Sequence, residues 1–119
     1  MQAKIKLQKA KTISGIGLVL QFVVLEGTIK PGMKTEFRGK TFTIGDRLIA
    51  FKSSSEAEKT FDPIGFKGCE YRFVPEAKKD DLVIQANLSH QPKNALDLLA
   101  ENTEGILVFR GPDSNPLRK

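Results

Sequence analysis

A small antiparallel β-barrel, mainly β with one short helix, is the fold this sequence predicts, and three observations carry the prediction. The run Leu18 to Leu25 is apolar apart from Gln21 and rich in β-branched and aromatic side chains, which suit a pleated surface. Gly27, Pro31 and Gly32 then punctuate the chain, and Lys30-Pro31-Gly32-Met33 has the residues of a type II turn, with proline presetting φ and glycine accepting φ > 0. Further along, short strand-like segments alternate with glycine turns at the spacing typical of barrels and sandwiches.

Taken in order, Ala3 to Gln8 alternates strictly, with Ala3, Ile5 and Leu7 on one face and Lys4, Lys6 and Gln8 on the other, as in a half-buried strand. The exposed lysines are expected to guard a sheet edge, or else to join a phosphate-binding face. Two strands joined by a turn are expected from Gly15 to Phe37. Arg38-Gly39-Lys40 turns the chain into a strand from Thr41 to Ile44, and a second turn at Gly45-Asp46 leads to a strand from Arg47 to Phe51.

Lys52 to Lys59 reads as a polar loop or the start of a short helix. Phe61 to Gly68 reads as a loop with aromatic anchors, and Cys69 to Val74 as a strand. Pro75 to Asp81 is a charged turn and Leu82 to Leu88 a strand. Residues 93–101 place Ala95, Leu96, Leu99 and Ala100 near one helical face, with Pro92 at an acceptable helix start. Ile106 to Phe109 returns to β. Residues 1–111 are therefore expected to form one barrel domain, and 112–119 a flexible Pro/Asn tail.

Composition narrows the function. A chain of 119 residues has the size of one domain, and its 39% hydrophobic and 28% charged content is ordinary for a globular protein. Nineteen Lys and Arg against fourteen Asp and Glu give a formal charge of +5, which favours polyanionic partners. A single cysteine rules out an internal disulfide and fits a reducing compartment, so a cytoplasmic location is expected. Lys4, Lys6, Lys9 and Lys11 before the apolar stretch imitate a signal peptide, yet Gly15, Gly17 and Gln21 dilute that stretch and no small-x-small cleavage site follows. It also falls short of the roughly 20 residues of a membrane helix. No membrane partner is expected.

Chemistry is sparse. His90 is the sole histidine, no H-x-x-x-H or H-E-x-x-H is present, and the P-loop pattern G-x-x-x-x-G-K-[ST] is missing. Neither a metal nor a cofactor is expected, and no enzyme signature emerges. Cys69 paired with His90 is the one conceivable nucleophile and base. Against that, a small cysteine at a strand start is commonly core.

Gly15, Gly17, Val19, Gly27, Ile29 and Gly32 reproduce, without a gap, a G-x-G-x-V then G-x-[VI]-x-x-G pattern, and Glu104 to Gly111 ends in Arg-Gly. In these two motifs the chain resembles the second, β-barrel domain of translational GTPases of the elongation factor Tu class, without the GTPase domain. Phe22 stands where that family usually has glycine, and Met33 where it often has an acid. The resemblance implies a translation-factor domain II-like barrel, whose relatives help contact the acceptor end of tRNA or ribosomal RNA. Individual binding residues are not carried over.

The candidate nucleic-acid-binding residues come instead from the cations near turns: Lys34, Arg38, Lys40, Arg47 and Lys52. Arg38 and Lys40 flank a hairpin tip, where long side chains reach a phosphate backbone easily. The expected function is a non-catalytic module that binds structured RNA or a ribonucleoprotein such as the ribosome. The alternative is a protein-interaction adaptor using a barrel edge or the 93–101 helix, which calls for exposure of Leu96 or Leu99.

Overall fold

A computed structural model describes residues 2–59, 61, 76–90 and 92–111, and of His90 the backbone only. Seven strands and two short helices occur among them: β1 (Gln2–Ile13), β2 (Gly17–Ile29), β3 (Lys34–Phe37), β4 (Lys40–Phe51), α1 (Ser54–Lys59), β5 (Ala77–Lys78), β6 (Val83–His90), α2 (Ala95–Ala100) and β7 (Ile106–Arg110). Six of the strands close into an antiparallel barrel in the order β1-β2-β6-β4-β3-β7 and back to β1. The short β5 pairs separately with Thr28 and Ile29 at the end of β2.

Alternation along the strands sends Ile5, Leu7, Leu18, Leu20, Phe22, Phe42, Ile44, Ile84 and Phe109 into the barrel. Phe22 is fully buried there, so the side chain that departs from the family pattern fills core volume. Helix α2 adds Ala95 and Leu99 to the same core.

The run of β2 that is apolar apart from Gln21 has a different cause. A second cluster lies on the outer wall, where Ile13, Val19, Ile49, Phe51 and Val83 point outward and are covered by Ala57 of α1 and by Phe61. Strand β2 is thus buried on both faces, which removes the usual alternation. Gln21 and Gln85, both wholly buried, sit opposite each other in the β2–β6 ladder on this covered side. Gln85 Nε2 donates to Gln21 Oε1 at 2.9 Å and to the Ala57 carbonyl at 2.8 Å. Gln21 Nε2 in turn donates to Gln8 Oε1, whose amide reaches Ser54 Oγ. The cover is therefore tied to the wall by a row of amides as well as by apolar contact.

Several sequence expectations change in detail. The segment around Gly45 and Asp46 bulges within one continuous strand, β4, where Asn87 Oδ1 accepts the Arg47 backbone N–H, so the expected turn is absent. The polar stretch after Phe51 does form a helix, capped by Ser53 Oγ accepting the Glu56 N–H at 3.1 Å. The β1 lysines guard no edge, because barrel closure pairs β1 on both sides. Met33 N–H donates to the Lys30 carbonyl and Gly32 has φ 88°, as the type II turn requires. The expected strand at Cys69 to Val74, most of the loop before it and the tail 112–119 lie outside the described residues.

Candidate functional site: the bare wall and its groove

The outer cover divides the barrel into two unlike sides. On the covered side, Lys11 Nζ donates to the Phe61 carbonyl at 2.7 Å, and the ammonium groups of Lys9 and Lys11 stand 5.9 and 5.7 Å from the Phe61 ring centroid. Those two cations are engaged in holding the cover. The opposite side, formed by the first half of β1 with β7, β3 and the first half of β4, lies apart from this second cluster.

On that bare side the barrel has its weakest join. Strands β3 and β7 pair at a single position, Lys34 with Arg110, and among the described residues no other rung links them. Both residues are exposed and carry like charge directly across the ladder, an arrangement that weakens pairing. Past this rung the strands part around a groove of about 820 Å³ lined by Thr35, Glu36, Phe37, Thr41 and residues 106–108. Ile106, 51% exposed, stands on its outer rim.

Backbone direction follows from the neighbouring ladders. Leu7 donates to the Gly105 carbonyl and accepts from the Glu104 N–H, so the odd residues of β1 face β7, and their partners Leu107 and Phe109 face β1 in return. Ile106, Val108 and Arg110 therefore direct their N–H and C=O groups toward β3. The two-residue turn Arg38-Gly39 fixes the other wall, since Thr35 and Phe37 point their polar groups at β4. Lys34 and Glu36 are left facing the groove.

The five candidate cations do not gather into one patch. Lys34, Arg38 and Lys40 share the β3–β4 hairpin, whereas Lys52 follows the far end of β4, 12 residues long. Lys40 and Lys52 are therefore held at opposite ends of this strand. Arg47 lies between them at the β4 bulge, half-buried and already in contact with other groups. Arg38, at φ 53°, forms an ion pair with Glu101 just after α2 and lies 5.2 Å from the Phe37 ring centroid.

Lys4 and Lys6 on the same wall pair with Glu26 at 3.9 Å and Glu104 at 3.0 Å. Lys34, Lys40 and Arg110 have no ion-pair partner among the described residues. Arg110 was invisible as a site residue because its role depends on which strand closes the barrel, a fact no local pattern holds.

For the adaptor alternative, Leu99 is fully buried in the barrel core while Leu96 is 37% exposed. Most of the apolar face of α2 is thus spent on closing the core. The Cys69 to His90 pairing falls outside what is described, which includes neither Cys69 nor the His90 side chain. No group of three His, Cys, Asp or Glu that could hold a metal ion occurs among the described residues, and none of their helices is long and apolar enough to cross a membrane. No protein-family model matches the chain, and no curated protein matches it in sequence.

Proposed function

We propose that this barrel is a non-catalytic binding module that contacts structured RNA or a ribonucleoprotein through the phosphate backbone, with its bare wall as the contact surface. The observation that carries this reading is the outward pair Lys34 and Arg110, like-charged neighbours across one rung with no ion-pair partner among the described residues, Glu36 being the one carboxylate that lines the same groove. A phosphate seated between two such cations relieves their repulsion and accepts hydrogen bonds from both. Lys40, at the end of the same hairpin, is a further cation without an ion pair among the described residues, on the sheet face opposite Lys34. The resemblance in the Gly15 to Gly32 and Glu104 to Gly111 motifs to the barrel of translational GTPases supports the same class of partner, in a cytoplasmic setting.

Salt dependence tests it. Three neutralised phosphates give a slope of log K against log salt of roughly −2 to −3 for a fluorescein-labelled RNA hairpin. The double variant Lys34→Ala, Arg110→Ala should flatten that slope by about 1.5 to 2 while the fold persists, as judged by circular dichroism. A slope near zero for the unaltered protein, or an unchanged slope in the double variant, refutes the reading.

A further inference from the structure

The groove between β3 and β7 offers something a phosphate chain does not use, namely a row of backbone donors and acceptors at strand spacing. The N–H and C=O groups of Ile106 and Val108 on one side, and of Glu36 on the other, face into it without a further rung between the strands. Each of the other five joins of the barrel is held by four or more rungs. An extended peptide is the one common partner that satisfies such an edge with its own alternating backbone groups.

We infer that β7 is a strand-addition site for an extended, acidic peptide segment of a partner protein, seated antiparallel to Ile106–Arg110 in the groove. This goes beyond the RNA reading. The charge of the site selects the partner: Lys34 and Arg110 close one end, so a carboxylate on the incoming strand at that end removes a like-charge repulsion, and in the antiparallel direction it lies at the peptide's N-terminal end, while Glu36 in the lining disfavours acidic residues further along. Side-chain environment selects the rest. Outward residues of the added strand lie beside Ile106 and Val108, which favours β-branched side chains, while inward ones meet Thr35 and Phe37 in the groove floor. The groove volume of about 820 Å³ holds a few residues of extended chain, as many as the five residues of β7 can pair.

The test uses the intact chain and a fluorescein-labelled six-residue peptide, two aspartates followed by alternating valine and threonine, read by fluorescence anisotropy. Two N-methylated versions remove alternate sets of amide donors without altering charge. The set facing β7 should weaken binding at least about tenfold, and the other set much less. Hydrogen exchange at Ile106 and Val108 should slow with the peptide and stay unchanged with the RNA hairpin. Absence of saturable binding up to about 1 mM overturns the inference, as does binding that survives both methylations. Protection of those two amides by the RNA hairpin but not by the peptide likewise overturns it and assigns the groove to RNA. The salt slope of RNA binding is measured separately, so failure of one reading is distinguishable from failure of the other.

Discussion

Replacing Gly27 by alanine should damage this barrel far more than the same replacement at Gly39, although both glycines have φ near 80°. The two positions share one cost. A left-handed backbone conformation penalises an L side chain by roughly 1–2 kcal/mol, partly offset by about 0.4–1 kcal/mol because alanine restricts the unfolded chain. Gly39 lies at an open hairpin tip where a new Cβ meets nothing within 4 Å, so Gly39→Ala should cost about 1 kcal/mol or less.

At Gly27 the new Cβ runs into the Gln2 carbonyl oxygen and stands 3.0 Å from Ala3 Cα. These are backbone atoms that cannot rotate aside. Relief requires β1 to move away from β2 at the Ala3–Gly27 rung, and the same β1 residues pair with Phe109 and Arg110 of β7. The displacement therefore loosens two ladders, and Gly27→Ala should cost about 3 kcal/mol in all. Urea denaturation followed by circular dichroism measures the gap. With an m-value of about 1.5 kcal/mol/M, the midpoints of the two variants should differ by more than about 1 M at similar m. Equal midpoints would refute the reasoning, since only the shared conformational cost would then be acting.

Three other substitutions probe separate parts of the structure. Lys34→Glu turns the repulsive rung with Arg110 into an opposite-charge pair, so it should raise stability by roughly 0.2–0.5 kcal/mol while weakening RNA binding, an opposition that denaturation and anisotropy together detect. Leu99→Ala, in the barrel core, should cost about 2–5 kcal/mol by denaturation, against less than about 1 kcal/mol for the half-exposed Leu96→Ala; a reversed order would make α2 a docking helix. Ser53→Ala removes the cap of α1 and should cost about 1 kcal/mol, seen as faster amide exchange in Ser54–Lys59.

The sequence made the β character, the Pro31-Gly32 turn and the two-residue tip at Gly39 legible because each depends on neighbours a few positions away. Ala95 and Leu99 were likewise readable as one helical face. The outer apolar cluster was not. Ile13, Val19, Ile49, Phe51 and Val83 come from four strands, and nothing local says that α1 and Phe61 will cover them. Gly45 and Asp46 have the composition of a turn, yet the β6 ladder and the Asn87 amide hold them as a bulge within β4. Among the candidate cations, residue type alone could not show that Arg38 is paired with Glu101, 63 positions away, or that Lys52 lies at the far end of the strand from Lys40.

What the sequence determined by itself is which segments extend and where they turn, since alternation and glycine or proline stereochemistry act over a few residues. Tertiary structure alone decided that β3 and β7 meet at one like-charged rung and then part. That outcome follows from barrel closure, which brings together two strands far apart in sequence, Lys34 and Arg110 being 76 positions from each other, and settles which backbone edge is left facing a groove.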